Sequence, residues 1–121
     1  MPILRVLSLI CHEQEDNTGH DDAYIRINGS DFWGPKPIHE GQPRVINKDY
    51  LFNRRAKIGL YESDDWDPDD FLGEQMITKA NVGQGEIELP FKEDDANYTI
   101  YVEVLADNKK SADAIIALNR K

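Results

Sequence analysis

Apolar and polar residues alternate along most of the chain, and a period of two residues is typical of β-strands with one buried face. Over residues 3–12 the alternation predicts a first strand with Leu9 and Cys11 on one face and Val6 and Ser8 on the other. Further runs of the same kind predict strands at 23–27, 31–34, 44–52 (with a break at 47–49), 56–61, 71–78, 87–91 and 98–105.

Turn signals separate these runs at intervals of about 8–12 residues, as in antiparallel sandwiches. Asn28-Gly29 is a pair favoured in two-residue hairpins, and the proline-rich stretch 35–43 is predicted to be a loop. Ser111 is a candidate cap for a short helix after the last strand. The chain is therefore predicted to be all-β. We expect one domain over 1–121, an eight-stranded antiparallel β-sandwich with a short C-terminal helical tail (107–121).

The composition narrows the classes of partner. The 121 residues carry a formal net charge of −9, which argues against nucleic acid because phosphate binding needs a basic surface. The single cysteine, Cys11, excludes an intramolecular disulfide and suits a reducing compartment. Residues 1–10 carry Arg5 within the apolar run and do not match a signal peptide. We therefore expect a cytoplasmic protein.

The most unusual stretch is an acidic loop (62–70) between two predicted strands. Only Ser63, Trp66 and Pro68 in it are not acidic. Neighbouring carboxylates repel one another by on the order of 1 kcal/mol per close pair in water. A hard divalent cation would compensate this repulsion, and a solvated acidic turn is the alternative.

A second acidic segment, the first loop (13–22), strengthens the cation hypothesis. It is the first connection of the predicted sandwich and the acidic loop is the fifth, and odd-numbered connections lie at the same end. An EF-hand is excluded, because a motif begun at Asp65 places Asp70 where glycine is needed and Met76 where glutamate is needed. The carboxylates that could converge are those of Asp16, Asp21, Asp22, Glu62, Asp64 and Asp70.

These two loops resemble the calcium loops of C2 domains. Asp16, followed six residues later by Asp22 and the strand 23–27, is similar to the first calcium loop of the family, with Ala23 replacing the usual proline. The acidic loop and the following 70–74 resemble the third loop, which has acids at its first, third and ninth positions before Phe-hydrophobic-Gly-Glu. Glu62 stands where aspartate is usual.

The resemblance covers about residues 4–104 and implies the variant of the sandwich in which the first calcium loop joins the first two strands. The stand-alone length and acidity are also similar to small bacterial calcium-binding proteins. Asp21, Asp67 and Asp69 remain as extra acids that bind a second ion or tune the first. The calcium ligands that the resemblance implies are Asp16, Asp22, Glu62, Asp64 and Asp70.

The expected function is therefore that of a Ca²⁺ buffer or sensor module. Trp66 matches the apolar tip of membrane-docking C2 domains, so a Ca²⁺-dependent phospholipid module is an alternative, and carbohydrate binding through the metal or through Trp33 and Trp66 is another. Trp66 can also contact a protein partner or pack on its own loop. An enzyme is not expected, because adjacent Cys11 and His12 point to opposite faces of a strand and form no dyad.

Overall fold

A computed structural model describes residues 1–14 and 19–106. Within these ranges the chain forms eight β-strands and one short 3-10 turn, η1 (Lys79–Asn81). The strands are β1 (Ile3–Glu13), β2 (Asp21–Ile27), β3 (Ser30–Ile38), β4 (Pro43–Leu51), β5 (Arg55–Glu62), β6 (Asp70–Thr78), β7 (Ile87–Phe91) and β8 (Asn97–Leu105). The predicted tail and Asp16 lie outside the described residues.

The strands form two four-stranded antiparallel sheets, which confirms the predicted β-sandwich. One sheet has the order β4-β1-β8-β7 and the other the order β3-β2-β5-β6. Alternate side chains of each sheet point into the space between them, as in β2, where Ala23, Ile25 and Ile27 are fully buried. The opposite face of the second sheet, called here the outer face, carries the intervening residues Asp22, Tyr24 and Arg26.

The predicted faces of β1 are wrong at Val6. In the pairing with β8, Val6 lies opposite Val102 and Ser8 opposite Tyr101, so Leu7 is an extra residue, and this bulge changes the phase of the alternation. As a result Val6 and Leu9 are both fully buried. The bulge could not be predicted from a strict period of two, because one extra residue is not itself a periodic feature of the sequence.

The predicted loop at 35–43 is also too long. β3 continues through Pro35 and Pro37 to Ile38, and it is an edge strand, where a missing N–H removes no ladder bond on the open side. At its other end, the predicted hairpin turn is confirmed. Asn28 and Gly29 have φ of 51° and 80°, the left-handed region that a two-residue hairpin requires.

Four connections meet at one end of the sandwich, called here the loop end: the first loop, 39–42, the acidic loop and 92–96. The Ser63 N–H donates to the Asp22 carbonyl at 2.8 Å, which joins the acidic loop to the first loop. The Gln14 N–H donates to Glu40 Oε1 at 3.3 Å, which joins the first loop to 39–42. The predicted placement of the two acidic segments at one end therefore agrees with the contacts of the described residues.

Candidate metal centre

Three carboxylates of the acidic loop form a cluster at the loop end. One oxygen each from Glu62, Asp64 and Asp70 lies within 4.8 Å of the other two. Glu62 ends β5 and Asp70 begins β6, and their Cα atoms are paired in register, so both side chains leave the hairpin on the same face. Asp64 completes the cluster from the loop. We call these three residues the carboxylate cluster.

The burial of the cluster strengthens the electrostatic interaction among its members. Glu62 is only 4% exposed, and Asp64 and Asp70 are half-buried. Like charges at this separation repel more strongly where protein replaces water. Carboxylate oxygens are the donors preferred by calcium, which takes six to eight oxygen ligands. The donor set therefore suits a hard cation better than zinc or copper, which favour nitrogen and sulfur.

The backbone around Asp64 is held by short-range hydrogen bonds. Asp64 Oδ1 accepts the N–H of Trp66 at 3.1 Å and that of Asp67 at 3.4 Å, a local turn typical of aspartate. The Asp64 N–H in turn donates to Asp69 Oδ1 at 3.1 Å. These bonds fix the direction of the Asp64 side chain before any ligand binds.

Asp69 ties the acidic loop to the outer face of the second sheet. The Tyr24 hydroxyl donates to Asp69 Oδ2 at 2.5 Å. This hydrogen bond, together with the one from the Asp64 N–H, holds the pKa of Asp69 below its usual value. The burial of the phenol and the same contact raise the pKa of Tyr24. Asp69, which the sequence suggested as an extra metal ligand, thus lies outside the carboxylate cluster and supports the loop.

The two adjacent aspartates of the first loop point in opposite directions. Asp22 is on the outer face, half exposed, with its Oδ1 at 3.4 Å from His20 Nε2. Asp21 is fully buried, and the Tyr98 hydroxyl donates to its Oδ2. Asp22, Asp21 and Asp67 all lie outside the carboxylate cluster.

Tyr98 joins Asp21 to Cys11 in a network, called here the core network. Burial and the hydrogen bond to Asp21 raise the pKa of Tyr98, and burial raises the pKa of the Cys11 thiol. Sequence reasoning missed this network. The available signal was a tyrosine at an inward position of β8, because a buried phenol needs a polar partner.

Trp66 is 94% exposed, between exposed Asp65 and Asp67. The interpretation that it packs on its own loop is therefore wrong. The tryptophan stands at the tip of the acidic loop and leaves its whole ring available to another surface.

The same sandwich occurs in solved structures. A C2 domain of plant extended synaptotagmin 1 matches with a TM-score of 0.59 and 13% identity, over 86% of this chain and 91% of that chain. The calcium-bound pair of C2 domains of extended synaptotagmin 2 matches with a TM-score of 0.56 and 21% identity, over 85% of this chain and 44% of that chain. The chain has a C2-like fold.

Human GIVD cytosolic phospholipase A2 also contains this C2-like fold, with a TM-score of 0.59 and 18% identity. The match covers 86% of this chain but only 16% of the phospholipase, so the likeness concerns a small part of that enzyme. No family model and no curated protein matches the chain. In residues 1–14 and 19–106, no helix is long and apolar enough to cross a membrane.

Proposed function

We propose that this C2-like domain binds Ca²⁺ at the loop end through the carboxylate cluster. The observation that carries the proposal is the approach of three carboxylate oxygens within 4.8 Å, one of them from the buried Glu62. The calcium-bound state of a C2 structure with the same fold adds support. Asp22 and Asp16 of the first loop are proposed to complete the ligand set, with carbonyl oxygens of the two loops, and Asp22 would have to turn from the outer face to reach the ion.

Binding would act by neutralising charge. Without metal, the three carboxylates repel one another and destabilise the loop end. Calcium offsets two of the negative charges, so the repulsion falls and the local potential becomes less negative. The ion enters a loop whose backbone is already held by Asp64 and Asp69. Calcium is favoured over magnesium because magnesium requires a near-ideal octahedral shell and loses its waters reluctantly. Whether the domain serves as a buffer or a sensor follows from the affinity.

The test is a thermal unfolding series with calcium, magnesium or chelator. A calcium concentration about 100 times the dissociation constant adds about 2.7 kcal/mol to the free energy of unfolding, and hence several degrees to the midpoint. We expect calcium to raise the midpoint much more than magnesium does. Asp64→Asn and Asp70→Asn each remove the calcium-dependent rise.

The matched control is Glu86→Gln. It removes one negative charge from an exposed position after β6, at the opposite end of the sandwich, and should keep the full calcium response. An unchanged midpoint of the wild-type protein at millimolar calcium would contradict the proposal. So would a response that persists in Asp64→Asn and Asp70→Asn.

A second candidate function is Ca²⁺-dependent docking on a phospholipid surface through Trp66. The observation that favours it is the 94% exposure of this ring at the tip of the acidic loop. Indole suits the membrane interface, where its apolar body is buried and its N–H stays hydrated. Co-sedimentation with phosphatidylcholine and phosphatidylserine vesicles, with calcium or chelator, tests it. Trp66→Ala should abolish sedimentation while the calcium-dependent midpoint rise remains; no sedimentation of the wild-type protein would leave a protein partner as the contact of Trp66.

A further inference from the structure

A cavity of about 340 Å³ opens on the outer face of the second sheet, beside the edge strand β3. It arises from an irregularity in the pairing of β2 with β3. Ala23 is paired with Lys36 and Ile25 with Trp33, so Gly34 and Pro35 both lie opposite Tyr24. Such bulges bend a strand and re-aim its side chains, and they are common next to binding sites.

Gly34 allows β3 to make this bend. Its φ is +86°, and a Cβ built on it would overlap the carbonyl oxygen of Ala23 and lie 2.9 Å from the Cα of Tyr24. Any side chain there would push β3 away from β2. The shape of the cavity therefore depends on the backbone of residues 34–35 and is built into the sheet.

The walls of the cavity combine two aromatic residues with charged groups. Trp33 and Tyr24 line it. Tyr24 stacks on Tyr61 with ring centroids 5.2 Å apart and an interplanar angle of 16°. Because Tyr61 does not line the cavity, the cavity lies on the other side of the Tyr24 ring. Trp33 is itself packed partly against the core, so it presents a fixed surface.

The cavity is also lined by charged side chains that can donate or accept hydrogen bonds. The guanidinium of Arg26 lies beside Asp31, with Nε and Oδ1 3.1 Å apart, and Asp69 closes the side nearest the acidic loop. Two carboxylates and one guanidinium disfavour a phosphate ester, because two like charges would face it. A cationic ligand is disfavoured as well, because Asp31 is paired with Arg26 and both oxygens of Asp69 already accept hydrogen bonds, so little unpaired negative charge remains. The remaining class is a neutral molecule that has both hydroxyl donors and hydroxyl acceptors, and an apolar face for the rings.

We propose that this cavity is a calcium-independent binding site for a neutral saccharide. A pyranose ring would place its C–H face on Tyr24 and Trp33, and its hydroxyls would donate to Asp31 and Asp69 and accept from Arg26. The volume is at the lower end of the range for small-molecule pockets, which fits a ligand of one or two rings. The site is separate from the carboxylate cluster and does not include Trp66.

The test is saturation-transfer-difference NMR with maltose, cellobiose and lactose at about 10 mM, a concentration that reports dissociation constants in the millimolar range. The measurements are made with calcium and with excess chelator. We expect binding of at least one disaccharide, with the same affinity in both conditions. Trp33→Ala should weaken it about tenfold, because the stacking surface is lost.

Two further variants separate a binding effect from a folding effect. The side chain of Asp31 is 83% exposed, so Asp31→Asn should fold normally and weaken binding about threefold. Trp66→Ala removes the other tryptophan, outside the cavity, and should leave binding unchanged.

Four outcomes would overturn the proposal. They are no signal from any disaccharide, binding that requires calcium, binding unaffected by both Trp33→Ala and Asp31→Asn, and stronger binding of inositol hexakisphosphate or choline than of any disaccharide. Inositol hexakisphosphate is negatively charged and choline is positively charged, and the cavity should disfavour both. If the protein shows no calcium-dependent rise in its unfolding midpoint, saccharide binding should still be observed. The calcium proposal and the saccharide proposal can therefore fail independently.

Discussion

The core network and the carboxylate cluster lie at the same end of the sandwich, yet they treat carboxylates in opposite ways. In the core network, a fully buried Asp21 accepts a hydrogen bond from Tyr98, so the protein supplies the polar partner itself. In the carboxylate cluster, three negative groups approach one another within 4.8 Å. The first arrangement stabilises the fold as it stands, whereas the second stores repulsion that a cation can remove.

The difference shows that the number of acids in a loop does not by itself identify metal ligands. Asp21 and Asp22 are adjacent in sequence, but the alternation of β2 sends one into the core and the other to the outer face. Asp69 and Asp70 are also adjacent but have different contacts. Asp69 accepts the hydrogen bond from Tyr24, whereas Asp70 is paired with Glu62. The direction of each side chain decides its role.

The largest effect is expected from Tyr98→Phe, which removes the hydroxyl donor of the core network. A hydrogen bond to a charged group contributes about 2 kcal/mol, so the unfolding midpoint should fall by about 8 °C. The fall should be equal with calcium and with chelator, because the core network is independent of the metal. Differential scanning calorimetry measures it.

The control for this variant is Tyr101→Phe, on the half-buried outward side of β8, which should change the midpoint little. A loss in Tyr98→Phe below about 0.5 kcal/mol would mean that Asp21 does not depend on the phenol. A loss of stability that appears only with calcium would mean that the core network and the carboxylate cluster act as one site.

A smaller effect of opposite sign is expected from Asp64→Asn without calcium. The amide keeps the oxygen that accepts the Trp66 N–H but removes one charge of the carboxylate cluster. The protein in chelator should therefore become more stable by about 0.5–1 kcal/mol. Urea unfolding of this variant and of Glu86→Gln in chelator measures the difference. If Asp64→Asn is destabilised and Glu86→Gln is not, the charge of Asp64 is already compensated within the protein.

The smallest effect concerns the pKa of Asp69. Because the folded-state pKa is lowered, the contribution of the ionised group to stability is present above the ordinary aspartate value of about 3.9 and is lost as the pH falls through the lower folded value. Tyr24→Phe removes the principal cause, so the pKa should rise toward the ordinary value. A carboxyl ¹³C NMR titration measures it.

The matched variant for this titration is Tyr61→Phe. It leaves the Tyr24 hydroxyl in place and should not move the pKa of Asp69. An equal rise in both variants would assign the lowered pKa to the stacked rings as a whole, and no rise in Tyr24→Phe would assign it to the Asp64 N–H.

Much of the fold followed from periodicity and turn chemistry. The Asn28-Gly29 hairpin and the number of strands were predicted because both depend on local signals. The bulge at Leu7 and the extension of β3 through Pro35 were not, because each depends on the neighbouring strand. A proline is excluded from a central strand and tolerated at an edge, and the edge is defined only by the assembled sheet.

The candidate site was predicted only in part, because some of its contacts lie within one hairpin and others join distant segments. The approach of Glu62, Asp64 and Asp70 is confirmed, because all three belong to one hairpin whose register fixes them. The structural contacts of Asp21 and Asp69 were not predicted, since their hydroxyl partners, Tyr98 and Tyr24, are distant in sequence. The ligand roles of all five residues remain predictions: Asp16, Asp22, Glu62, Asp64 and Asp70.

The hydrogen bond from the backbone N–H of Trp66 to Asp64 Oδ1 places a natural fluorophore next to a proposed metal ligand. The chain has two tryptophans, so Trp33→Phe leaves a single fluorophore whose backbone is joined to a proposed ligand. Its water-exposed indole emits at long wavelength, and a rearrangement of the turn at Asp64 that moved the indole into other surroundings would change that emission. Events at the loop end can thus be followed in real time without attaching a dye.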